Sequence, residues 1–163
     1  MESGIFAPGT SKHAEKEVAR GEGARTWADM GKALNIYSYG TAQVYKDTWH
    51  QACQWIKDNL GIRDVETLRG EHVRAFLESR IADGIKYSTF QREAAAMSKF
   101  ENAMNMYADR AGKDATYSFR EVIQDVRKEA MEVLDRSAET RAYENPTALI
   151  NAIENDAYRT AAQ

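Results

Sequence analysis

Apolar residues recur along most of this chain at steps of three and four, the spacing that gathers side chains on one side of an α-helix. From Ser38 the set Tyr45, Trp49, Ala52, Cys53, Ile56 and Leu60 forms one such stripe, with Gln43, Lys46, His50, Gln54 and Lys57 on the other side. Ser38 is placed to cap that helix and Gly61 to end it. A short helical turn is predicted over 64–68, then a helix over 70–82 with Val73, Phe76 and Leu77 inward, stopped by Asp83-Gly84. Ser88 opens a long helix to about residue 111, striped by Ala94, Met97, Phe100, Met104 and Tyr107. Ser118-Phe119-Arg120-Glu121 reads as a capping box ahead of Phe119, Val122, Ile123, Val126, Ala130, Val133 and Leu134.

The flanks differ. Residues 1–25 hold Gly4, Pro8, Gly9, Gly21 and Gly23 around a short polar stretch, which predicts a flexible arm with at most a brief helix. Thr26 and Asp29 have the spacing of a reciprocal cap for a helix to about Leu34. The stretch 136–144 is polar and reads as a linker, and Asn145-Pro146 starts a last helix with proline where the first turn tolerates it. No run alternates with period two. The expected fold is all-α: a compact bundle of four to five helices over 26–136, a flexible N-terminal arm over 1–25, and a linker with an extra C-terminal helix over 137–163.

Composition narrows the class. A chain of 163 residues can bury a core without disulfides, and its one cysteine, Cys53, excludes an intramolecular disulfide and suits a reducing, cytoplasmic setting. The apolar runs fall far short of the ~20 residues a membrane span needs, so no membrane partner is expected. The net charge of −3 speaks against an indiscriminately basic surface. Residues 38–110 nevertheless hold ten basic and ten acidic residues, while 111–163 hold seven against ten, so the acid excess lies at the end. A nucleic-acid surface would have to arise from sorting charges between faces.

No catalytic set is legible. His13, His50 and His72 are scattered, without the paired spacing a metal site requires, so no metal or cofactor is expected. His72 reads as a surface or capping residue, and Cys53, on an apolar stripe, as an inert core thiol. There is no phosphate loop and no nucleophile elbow.

Three runs in fixed order carry a resemblance. The first is Ser38, Thr41, Tyr45 and Trp49, ending in Trp55. The second is Ile62-Arg63-Asp64-Val65, Leu68 and His72-Val73-Arg74-Ala75-Phe76-Leu77, closed by Arg80. The third is Ser88-Thr89-Phe90 followed by Ala96, Lys99 and Phe100. Together, from Tyr37 to about Arg110, they resemble the core-binding domain of tyrosine recombinases, the phage-integrase family. Arg69 departs from that pattern, standing where the family often has a small capping hydroxyl, and 113–136 add a helix that many relatives lack. The resemblance implies a helical domain forming half of a clamp around duplex DNA during integration or excision. It also implies that 145–163 correspond to the first helix of a catalytic domain whose arginine, histidine and tyrosine residues this chain does not contain. This chain alone is then no enzyme, although its full-length parent would be a recombinase.

Side-chain chemistry suggests where DNA would lie. On the helix from Ser88, the side away from the stripe carries Ser88, Arg92, Ala95, Ala96 and Lys99, small residues between two cations that could approach a phosphate backbone. Lys86, Ser88 and Thr89 add donors at a helix start, which favours anions. Tyr39, Thr41, Lys46 and His50 repeat this logic on the helix from Ser38. Two other readings stay open: a helical protein–protein adaptor docking or self-associating through the C-terminal helix, and a ligand pocket among Tyr45, Trp49, Trp55 and Tyr107.

Overall fold

A computed structural model describes residues 4–26, 29–30 and 33–137. Among them lie five α-helices and no strand: α1 (Lys12–Gly21), α2 (Tyr39–Leu60), α3 (Gly70–Ala82), α4 (Tyr87–Arg110) and α5 (Arg120–Val133), with a 3₁₀ turn over Val65–Thr67. The expected all-α bundle is the observed architecture. The C-terminal helix expected over 146–162, and most of its linker, lie outside the described residues.

Local sequence signals set most boundaries. The Ser38 hydroxyl accepts the Thr41 N–H at 3.1 Å to start α2, and Gly61, at φ 72°, ends it by sending its N–H to the Lys57 carbonyl. Only a residue without a Cβ adopts that backbone cheaply. Asp64 caps the 3₁₀ turn through the Glu66 N–H. Thr26 and Asp29 exchange the expected reciprocal bonds, at 2.9 and 3.1 Å. Arg69 offers no hydroxyl at the start of α3, and there the imidazole Nδ1 of His72 accepts the Arg69 N–H at 3.1 Å.

The start of α5 is a correction. Ser118 and Glu121 do not form a capping box; the helix begins at Arg120, with no side chain of its own as cap. The buried carboxylate of Glu101, from α4, accepts the N–H groups of Phe119 and Arg120 at 2.5 and 2.9 Å. It also pairs with the Arg120 side chain at 2.8 Å. A partner eighteen residues away thus replaces the local one and locks α5 onto α4. From there α5 runs back along α4, so that Asp135, just beyond its end, accepts the Tyr87 N–H at 3.0 Å.

α4 is the central element, packed by α2, α3 and α5. Its buried residues Phe90, Ala94, Met97, Phe100, Met104 and Ala108 meet Val73, Phe76 and Leu77 of α3 and Ile123, Val126 and Ala130 of α5 in one core. α2 runs in the same direction as α4: the Trp49 indole N–H donates to the Ala96 carbonyl at 2.8 Å, and Glu66, just past α2, meets the Tyr107 hydroxyl at 2.8 Å. Three apolar stripes are narrower than the periodicity predicts. α2 buries Thr48, Ala52 and Ile56 while Leu60 is exposed, and Tyr107 and Val133 also face outward.

The N-terminal segment makes defined contacts with later residues. Ser11 caps the ten-residue α1, Ala19 is buried, and Ile5 is 3% exposed. Residues 5–7 pair with Ile36 through Ile36 N–H to Ile5 O (2.7 Å) and Ala7 N–H to Ile36 O (2.9 Å). Phe6 sets its ring edge-on to Tyr39, 5.2 Å between centroids.

Candidate nucleic-acid interface

The residues expected to face DNA fall into three environments. On α2, Lys46 and His50 stand exposed on the outer side, joined by Lys57 at the same angular position. The eleven residues from Lys46 to Lys57 span about 16 Å of helix. Arg63, in the turn beyond, extends the line; with His50, Lys57 and Asp64 it lines a shallow cavity of about 290 Å³. The neighbouring carboxylates are otherwise engaged, Asp47 with the Gln43 amide at 2.8 Å and Asp58 with the Gln54 amide at 2.7 Å. Tyr39 and Thr41, at the start of α2, are exposed, Tyr39 by 74%.

The start of α4 is less open than its sequence suggests. Lys86, Ser88 and Arg92 are exposed and Thr89 is half-buried. The Tyr87 N–H is consumed by the Asp135 carbonyl. The Asp135 carboxylate accepts the Ser137 N–H and hydroxyl at 2.8 and 2.7 Å; these bonds, with the Lys86 charge, hold it below the usual carboxylate range. An anion approaching this helix start meets a carboxylate already there, so Arg92 is the stronger contact.

The third environment corrects the expected α4 surface. Ala96 is fully buried beneath Trp49, and Lys99 is half-buried, its ammonium donating to the Leu34 carbonyl. Burial, reinforced by the positive charges of Arg120 and Lys12, lowers the Lys99 pKa to about 8. The continuous face from Ser88 to Lys99 is therefore cut in two. Its first half is open; its second is roofed by α2 and by the stretch from Leu34 to Ile36. Helical phase alone could not reveal this, because the covering groups are 47 and 65 residues away in sequence.

The aromatic pocket suggested by Tyr45, Trp49, Trp55 and Tyr107 does not assemble. Trp49 packs on Phe100 (5.4 Å between centroids), Trp55 on Phe76 (6.1 Å), and Tyr107 reaches out to Glu66. Cys53 is half-buried, and burial raises its thiol pKa, which disfavours a nucleophilic thiolate. Among the described residues no group of three or more potential ligands could hold a metal ion, and no helix is long and apolar enough to cross a membrane.

The ion pairs give the clearest division of the surface. Some cations meet carboxylates, Arg74 with Glu78 and Glu129, Arg80 with Asp83 and buried Glu93, Lys113 with Glu66, and Lys128 with Asp125, while Arg69 at the start of α3 and Arg127 of α5 enter no ion pair among the described residues. Among the described residues, Lys46, His50, Lys57, Arg63 and Arg92 enter no ion pair. Arg63 and Lys57 thus extend the set of exposed cations without an ion pair beyond the residues first singled out. Comparisons of the chain with protein-family models, curated proteins and solved structures give no match.

Proposed function

We propose that this chain grips duplex DNA along the outer side of α2 and Arg92 of α4, as the non-catalytic half of a tyrosine recombinase acting in integration or excision. The observation that carries the reading is the sorting of charge. Carboxylates neutralise Arg74 and Arg80 of α3 and Lys128 of α5, whereas five exposed basic side chains on α2, its following turn and α4 have no acidic partner among the described residues. Unpaired cations cost nothing to redirect toward phosphates, and the counterions they displace from DNA supply most of a non-specific affinity. Tyr39 and Thr41 add donors that position a backbone without reading bases. The resemblance of the Ser38–Trp55, Ile62–Arg80 and Ser88–Phe100 runs to the integrase core-binding domain supplies the reaction context.

Fluorescence anisotropy with a labelled duplex tests the assignment. K46A/R92A is expected to weaken binding by about tenfold and to reduce the salt slope by roughly two. K113A/K128A, which removes cations already paired with carboxylates, is expected to leave affinity unchanged. Equal losses in both variants, or none in the first, would overturn it.

A further inference from the structure

Arg120 and Arg127 stand about two turns apart on α5, and so on the same edge of that helix. Arg120 meets the buried Glu101 carboxylate of α4. Arg127 has no such partner. Because α5 runs back along α4, the α4 residue level with Arg127 lies about two turns before Glu101. That position is Ala94, whose side chain offers no acceptor. Among the described residues Arg127 makes neither an ion pair nor a hydrogen bond, although its Nε is sealed from solvent. Its terminal nitrogens are not sealed, so a ligand can reach them. The groups that act on its charge are phenols from two other helices, Tyr87 of α4 and Tyr45 of α2. Both are half-buried, and neither hydroxyl is hydrogen-bonded among the described residues.

A guanidinium that loses water and gains no counter-charge lowers the stability of the fold around it. Burial accordingly pulls the Arg127 pKa below the ordinary arginine value, against the opposing effect of the two phenols. The other part-buried arginines, Arg80 and Arg120, each have a buried glutamate instead. We infer that Arg127, with the Tyr45 and Tyr87 hydroxyls, holds a phosphate group of a ligand where α2, α4 and α5 meet. The guanidinium fork takes two phosphate oxygens side by side, and the phenols donate to the others. A carboxylate has only two oxygens, which the fork alone fills. The phosphate belongs either to a DNA backbone or to a free phosphate ester, since both present the same tetrahedral oxygens. None of the three residues is part of the DNA surface proposed above, so the inference does not rest on that reading.

Thermal melting of the full chain in inorganic phosphate, against acetate at equal ionic strength, is the first measurement. Phosphate is expected to raise the wild-type melting temperature by about 3 °C more than acetate does. Phosphate also favours compact states in general, so the change in this increment between wild type and Arg127→Met is what decides. Arg127→Met keeps an apolar stem of similar length. It is expected to lose the increment while melting no lower than wild type in acetate, because it removes an uncompensated charge. Tyr45→Phe/Tyr87→Phe keeps both rings and is expected to reduce the increment. Anisotropy with a labelled duplex then identifies the source. A loss of about threefold in Arg127→Met, with a salt slope smaller by about one, assigns the phosphate to a DNA backbone. Unchanged duplex affinity with a lost increment assigns it to a free phosphate ester. The proposal is overturned if Arg127→Met changes neither the increment nor duplex affinity. A clearly lower melting temperature of Arg127→Met in acetate also overturns it, by making Arg127 a structural anchor. Lys46 and Arg92 are untouched in these variants, so failure here leaves the DNA reading to its own test.

Discussion

Glu101 is the side chain on which the attachment of α5 to α4 most depends, and replacing it gives a sharp prediction. Its carboxylate, 6% exposed, accepts two backbone N–H groups and faces the Arg120 guanidinium, itself 9% exposed. Glu101→Ala takes the carboxylate from the buried Arg120 charge and leaves it neutral acceptors such as the Asn102 and Ser98 oxygens, a loss of about 3–5 kcal/mol in comparable cases. It also strips the start of α5 of its acceptor, which resembles loss of an N-cap at about 1 kcal/mol. These terms overlap, because one carboxylate serves both, so the expected total is about 4 kcal/mol. That is a large part of a domain's ~5–15 kcal/mol and corresponds to a melting temperature lower by on the order of 15 °C. Glu101→Gln keeps an acceptor of the same shape and loses only the charge, so it is expected to fall between wild type and Glu101→Ala. Urea unfolding followed by far-ultraviolet circular dichroism and tryptophan fluorescence measures all three. A Glu101→Ala loss below ~1 kcal/mol, which is the cap term alone, would refute the reasoning and assign the attachment to the apolar residues Ile123, Val126 and Ala130.

Other consequences follow from single contacts. The Lys99 pKa is lowered to about 8 from the ordinary 10.5, so between those values the unfolded chain holds more protons and stability gained at this site rises with pH; below pH 8 its full cost is present. Stability–pH curves of wild type and Lys99→Met are expected to converge or cross in that window, and parallel curves would contradict the assignment. A Cβ on Gly70 would lie 3.1 Å from Val122 Cγ2 and 3.2 Å from the Ser118 carbonyl, so Gly70→Ala should cost about 1 kcal/mol despite alanine's better helix propensity. Val122→Ala should recover part of that loss in a double-mutant cycle, and a stabilised single variant would count against the close contact. If self-association occurs through the C-terminal residues, deleting 138–163 should abolish it, as read by light scattering, without altering the urea midpoint of the bundle.

The features legible in the sequence share a physical cause: they are local. Ser38, Gly61 and Asp64 act on backbone groups within four residues, so helix ends could be placed from composition and spacing. The buried stripe of α4 was legible for the same reason, as Ala94, Met97, Phe100 and Met104 are adjacent on one helix. What escaped depends on partners distant in the chain. Glu93 and Glu101 are buried because Arg80 and Arg120 reach them across helix pairs, and nothing near either glutamate signals that. Lys99 shares a helical face with Arg92, yet the Leu34 carbonyl and Trp49 close its end of that face. Which cations find a carboxylate likewise depends on how the five helices pack, which residue counts cannot express.

The central claim is that unpaired cations on one side of the bundle form a DNA surface. The most direct test is the salt dependence of duplex binding between about 50 and 200 mM, read as the slope of log affinity against log salt concentration. One phosphate for each of Lys46, Lys57, Arg63 and Arg92 predicts a slope of about −3 to −4. A flat response, or no binding at the lowest salt, would contradict the account.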